Sequence, residues 1–100
     1  MRSRSDNNQN EIVAALRAIH VDVEIVSNKG LGFDLLCHIP KRVFIVEIKP
    51  HQIIGKRGKP LALGWTLTPK EERLKRIYGS DFNIVTTIDE ALELVKGYRA

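Results

Sequence analysis

Asp34, Glu47 and Lys49 are the residues of this 100-residue chain whose types and spacing suit chemistry. Asp34 sits in the run Phe33 to Ile39, which is otherwise apolar except for His38. Glu47 and Lys49 stand two apart at the end of the apolar run Val43 to Val46, so on a strand they project to the same face. Only the turn-forming Pro40-Lys41-Arg42 separates the two runs, which predicts an antiparallel hairpin. Counted from Lys41, Asp34 lies seven residues before and Glu47 six after, so the carboxylates are expected to converge on one side of the sheet. Charges on an apolar sheet are costly unless paired or bound to metal. Two carboxylates with nearby water suit a hard, oxygen-seeking cation such as magnesium. Such a cation polarises a phosphate and lowers the pKa of a bound water. A lysine beside it can orient or activate that water, or stabilise charge on the phosphate. The set is a coherent apparatus for phosphodiester hydrolysis. Spacing alone equally permits a structural salt bridge among the three at the rim of the sheet.

The elements that must position these residues follow from periodicity and punctuation. Residues 1–8 are polar and read as a loose arm. From Glu11 the apolar residues Ile12, Val13, Leu16 and Ile19 recur at helical spacing, with Asn7 or Asn8 as the cap. Val21, Val23 and Ile25 alternate with acids, the pattern of a half-buried strand. Ser27 to Gly32 is a glycine-containing loop, followed by the strands Phe33 to Ile39 and Val43 to Ile48. Pro50 to Leu67 is irregular, with Gly55, Gly58, Pro60 and Gly64, and loops this long in small domains are usually functional or mobile. Thr68-Pro69-Lys70-Glu71 is a capping box with proline at the first helical position, predicting a helix to Tyr78 that ends at Gly79. Phe82 to Thr86 reads as the fourth strand. Thr87 to Glu90 is a second capping box opening a last helix toward Gly97. The order is α-β-β-β-α-β-α, an α/β chain with a mixed α+β sheet flanked by helices in a single domain spanning 1–100.

Composition sets the remaining bounds. Lys and Arg number 16 against 12 Asp and Glu, giving net charge +4, which permits a polyanionic partner without demonstrating one. One cysteine, Cys37, offers no intrachain disulfide and reads as a small buried hydrophobe, in keeping with a reducing compartment. No apolar stretch approaches membrane-spanning length and the N-terminus lacks an apolar signal core, so a soluble, cytoplasmic protein with no membrane partner is expected. His20, His38 and His51 show no paired-ligand spacing of the kind a zinc helix carries.

The stretch Gly32-Phe33-Asp34-Leu35-Leu36, followed at thirteen positions from Asp34 by Glu47-Ile48-Lys49, resembles the motif of the PD-(D/E)XK nuclease superfamily, and the element order resembles its restriction-endonuclease-like core. Within it, the chain is most similar to the small stand-alone VRR-NUC and Holliday-junction-resolvase-like members found in phages and prophages, over about residues 6 to 95. The resemblance implies a Mg2+- or Mn2+-dependent endonuclease acting on DNA, with branched duplex such as a four-way junction as substrate. It implies Asp34, Glu47 and the Ile48 backbone carbonyl as metal ligands, Lys49 assisting the attacking water, and Glu11 turned from the first helix toward the metal. Phe33 stands where the family motif usually has proline, a departure in backbone shape rather than in chemistry. Two cuts at a junction call for a homodimer. A phage-encoded member would act in the host cytoplasm.

Further residues are candidates on either of two grounds. Glu11 also suits a capping box with Asn8, and the capping box with Thr68 already accounts for Glu71, although a polar residue near there approaches the site in some relatives. Ser27 and Lys29 in the glycine loop, Lys56, Arg57 and Lys59 in the long loop, and Arg73 and Arg76 three apart on the second helix are candidate DNA-phosphate contacts, as against ordinary solvated charges. Trp65 reads as a core or interface anchor, or as a stacking platform for a base. The rival to the enzyme is a non-catalytic nucleic-acid-binding or protein-interaction module that keeps the same fold. Salt-dependent binding without cutting would mark it.

Overall fold

The structure is a computed structural model and describes residues 4–49 and 67–100. The readings placed on the long loop, among them Lys56, Arg57, Lys59, Trp65 and His51, lie outside the described residues. Among these residues the order is α1 (Arg4–Ala18), β1 (Asp22–Ile25), β2 (Leu35–Ile39), β3 (Arg42–Ile48), α2 (Pro69–Tyr78), a short 3-10 turn (Gly79–Asp81), β4 (Phe82–Val85) and α3 (Ile88–Arg99). The strands form one mixed sheet in the order β1-β2-β3-β4. β1, β2 and β3 are antiparallel neighbours, and β4 joins β3 in parallel after the crossover through α2. The expected mixed α+β architecture and the β2–β3 hairpin are both present.

Alternation along β3 divides the molecule into two layers. Phe44, Val46 and Ile48 face the main core, with Leu35 and Cys37 of β2, Val23 of β1 and Val85 of β4. α1 covers that face with Ile12, Val13 and Leu16, and α3 with Ala91 and Val95. Burying each such side chain is worth about 1.5–3 kcal/mol, so this layer supplies most of the driving force. Cys37 is fully buried in it, and burial pushes its thiol up to about 12, so it behaves as a hydrophobe. Ile45 and Glu47 point to the opposite face, where α2 lies.

Local signals explain most boundaries. Thr68 caps α2 by accepting the Glu71 amide at 3.2 Å, while the Thr68 amide donates to Glu71 Oε1 at 3.0 Å, completing the capping box. Thr68→Ala is expected to cost about 1 kcal/mol, read as a lower midpoint of thermal unfolding. Gly79 ends α2 with φ +56°, a left-handed conformation that strains any residue with a Cβ.

Several local readings differ from the sequence expectation, among them the start of β2, at Leu35 rather than Phe33. α1 begins at Arg4 rather than near Glu11, so Asn8 lies inside the helix and its side-chain amide donates to the Thr86 carbonyl at 3.2 Å instead of capping. In the second capping box, Thr87 accepts the Glu90 amide at 3.0 Å, but Glu90 Oε1 reaches the Thr86 amide and hydroxyl, one residue farther back. α3 also runs through Gly97 to Arg99. Tyr98 holds that last turn: its ring stacks on Phe44 at 4.1 Å, and its hydroxyl donates to the Ser80 carbonyl and accepts from Asn83 Nδ2. Arg42 lies over the same ring, 4.6 Å from its centroid, and pairs with Asp81 at 2.9 Å, a hydrogen bond that holds the Asp81 carboxyl below its ordinary range.

Candidate active site

The β2–β3 register continues past the end of β2 and sets Asp34 opposite Glu47. Leu35 pairs with Val46, and one step farther the Asp34 amide donates to the Val46 carbonyl at 3.2 Å. On its other side the Asp34 carbonyl accepts from the Val26 amide at 2.8 Å. Its backbone is therefore fixed by β3 and by the start of the glycine loop. Its side chain is fixed as well, because Oδ2 accepts the Ile48 amide at 2.8 Å. That bond ties one oxygen to the strand carrying Glu47 and Lys49.

Glu47 is only 8% exposed and Glu71 only 7%, the two buried charged residues among the described ones. Lys49 Nζ stands between them, 3.6 Å from Glu47 Oε2, 2.9 Å from Glu71 Oε1 and 3.1 Å from Glu71 Oε2. The Lys49 amide donates to the Val85 carbonyl at 3.0 Å, so β4 holds the lysine backbone. Three carboxylates thus crowd around one ammonium. Burial, then the neighbouring charges of Asp34 and Glu71, push Glu47 up to about 8. Burial also raises Asp34, against the Ile48 amide, which favours its charged form. For Glu71, burial is outweighed by the Lys49 and Thr68 hydrogen bonds, which hold it below the ordinary carboxylate range. For Lys49, burial is outweighed by the Glu71 hydrogen bond and the Glu47 charge, which raise it. The cluster is a close Lys49–Glu71 salt bridge with a longer Lys49–Glu47 contact, so one ammonium is shared among more carboxylates than it can neutralise.

That pair opens onto a cleft of about 320 Å³ between the glycine loop and the start of α2, lined by Ser27, Gly30, Gly32, Phe33, Asp34, Glu47, Thr68, Lys70 and Glu71. Gly32 forms the narrow wall. Its φ is +96°, and a Cβ there would come within 3.0 Å of Leu74 and Lys70 of α2. Lys70 also donates to the Gly30 carbonyl, drawing loop and helix together.

The structure brings Asp34, Glu47, Lys49 and Ser27 to this cleft region and adds Glu71, Thr68 and Lys70, which the sequence reading did not assign to the site. Lys29, Arg73 and Arg76 are exposed and do not line it. Glu11 is exposed on α1 and likewise does not line it. A buried acid at the third position of α2, facing a strand that ends in lysine, is the signal that identifies Glu71.

Among the described residues, no group of three or more His, Cys, Asp or Glu side chains is arranged to hold a metal ion. Magnesium, however, is commonly held by one or two carboxylates with water completing its shell. Asp34 and Glu47 fit that requirement, because they are hard oxygen donors whose mutual repulsion a divalent cation would relieve. No helix among the described residues is long and apolar enough to cross a membrane. The chain matches no family model, no curated protein and no solved structure.

Proposed function

We propose that the chain is a metal-dependent endonuclease of the PD-(D/E)XK kind, with a restriction-endonuclease-like core, hydrolysing phosphodiester bonds in DNA, with branched duplex as the preferred substrate. The observation that carries this reading is the juxtaposition of the Asp34 and Glu47 carboxylates, with Lys49 beside them, at an open cleft. Asp34, Glu47 and the Ile48 carbonyl would hold Mg2+ or Mn2+. Such a cation, when bound, supplies Lewis acidity toward the phosphate and lowers the pKa of a coordinated water. The chain's own groups do the rest. Asp34, anchored on the Ile48 amide, keeps its other oxygen available at the cleft. Lys49 presents a fixed positive charge that stabilises developing negative charge on a phosphate and orients the attacking water. Ser27 at the cleft, Lys29 two residues along the same loop, and Arg73 and Arg76 on α2 would track the DNA backbone, whereas Glu11, exposed on the helix that covers the other face of the sheet, has no part in the site. A symmetric homodimer would supply the two cuts that a junction requires. A DNA substrate sets this activity inside the cell, in the cytoplasm.

The test is cleavage of labelled linear duplex, flap and four-way-junction DNA with magnesium, with manganese and with EDTA. Cutting with either metal and none with EDTA is expected, with paired symmetric cuts on the junction. Cutting confined to RNA would change the substrate. Salt-dependent binding of every substrate without any cutting would replace the enzyme by the non-catalytic module.

A further inference from the structure

Glu71 does more than its helix requires. A capping box is complete once one carboxylate oxygen accepts the cap residue's amide, as Glu71 Oε1 does from Thr68 at 3.0 Å. A glutamate that only holds backbone amides before its helix sits at the surface, as Glu90 does at the start of α3. Glu71 is instead buried, and both its oxygens receive the Lys49 ammonium, at 2.9 Å and 3.1 Å. The Lys49 backbone is pinned independently by the Val85 carbonyl at 3.0 Å. The lysine is thus held at both ends, by β4 at its amide and by α2 at its ammonium. The competing acid, Glu47, stands farther away at 3.6 Å.

We infer that Glu71 is a positioning residue: its bidentate grip on Lys49 Nζ draws the ammonium off Glu47, holding that pair at 3.6 Å rather than at hydrogen-bond length, so that the Glu47 carboxylate is left for a divalent cation and the lysine charge is set where the phosphate reacts. This rests on the nuclease reading. Without Glu71, the flexible lysine head is free to shorten its 3.6 Å contact with Glu47 to a full charge-assisted hydrogen bond, which would occupy one of the two acids the cation needs. The role is geometric. Glu71 acts through its hold on Lys49.

Glu71→Gln is the informative substitution, because glutamine still completes the capping box while surrendering the charge that grips the ammonium. The first readout needs no activity. In metal-free protein with 15N-labelled lysine, the Lys49 ammonium is expected to give a slowly exchanging NMR signal in the wild type that disappears in Glu71→Gln. The second readout is kinetic. Glu71→Gln is expected to lower kcat by about ten- to a hundredfold and to raise the half-saturating magnesium concentration, with KM for DNA changed by no more than about twofold. Thr87→Ala, which removes the α3 cap at a residue that does not line the cleft, serves as the control, since it costs thermal stability and should leave kcat unchanged. A cutting wild type whose Lys49 signal ignores Glu71, or a Glu71→Gln enzyme that keeps its kcat and magnesium requirement, overturns the inference. A wild type that cuts nothing while its ammonium signal still depends on Glu71 overturns the nuclease reading and the positioning role built on it, but not the grip itself.

Discussion

Glu47→Gln should make the metal-free protein more stable near pH 8 and, at the same time, abolish cutting. The stability half follows from linkage. In the folded state Glu47 is pushed from an ordinary glutamate value to about 8, first by burial and then by the charges of Asp34 and Glu71. Between the unfolded and folded values the folded chain keeps a proton that the unfolded chain has released, so stability falls as pH rises through that window. Glutamine carries no such proton. The difference between variant and wild type should be small below the ordinary glutamate range, should widen as pH rises toward 8, and should then level off. Its plateau is expected to be about 1–3 kcal/mol, less than the full linkage value because the cleft is open to water. Thermal unfolding across that pH range reads it directly. Magnesium supplies the complementary arm. A ligand that binds only the folded state raises its stability with concentration, so magnesium should raise the unfolding midpoint of the wild type and leave that of Glu47→Gln where it was. Equal midpoints for the two proteins near pH 8 would mean that the carboxylate pair carries no strain.

Asp34 should separate chemistry from scaffolding when two substitutions are compared. Its Oδ2 accepts the Ile48 amide at 2.8 Å, so Asp34→Ala leaves that partly buried amide without a partner, at a cost of about 1–3 kcal/mol. Asp34→Asn keeps an oxygen for the amide and removes only the charge. Both are expected to lose metal-dependent cleavage by about a thousandfold or more, since a metal-ligating carboxylate supports several kcal/mol of transition-state stabilisation. Only Asp34→Ala should show a lower unfolding midpoint. Asp34→Asn that cuts within about tenfold of wild type would remove Asp34 from the metal site and leave it a structural tie between β2 and β3. An experiment confined to alanine would confuse these two roles.

The core of this site was legible before any coordinates. Counting from Lys41 placed Asp34 opposite Glu47, and the register of the hairpin, extended by the Asp34 amide bond to Val46, does the same. The capping box at Thr68 located α2 to within a residue. Less legible were features in which one residue serves two ends. Glu71 was accounted for by its cap, and nothing in the local pattern shows that β3 delivers Lys49 to the same carboxylate. Asn8 looked like a cap because asparagine before an apolar helical run usually is one, whereas here a tertiary partner at Thr86 takes its amide. Gly97 read as a stop because glycine favours helix ends, but the stack of Tyr98 on Phe44 and its three polar partners carry α3 past it. In each case a long-range contact overrode a local preference, and a single sequence carries no record of such contacts.

The Lys49 amide bond to Val85 has a consequence for how the protein is born. As the chain leaves the ribosome, the hairpin bearing Asp34 and Glu47 emerges before α2 and β4. Everything that holds Lys49 in place comes later: Glu71 from α2 at its ammonium, then β4 at its backbone. β4 reaches β3 only by a parallel crossover, a slow non-local pairing. The acids are therefore synthesised well before the groups that seat the lysine, and the cluster becomes complete only once β4 has been made. A chain that ends before Phe82 leaves the two carboxylates without the strand that fixes the lysine beside them.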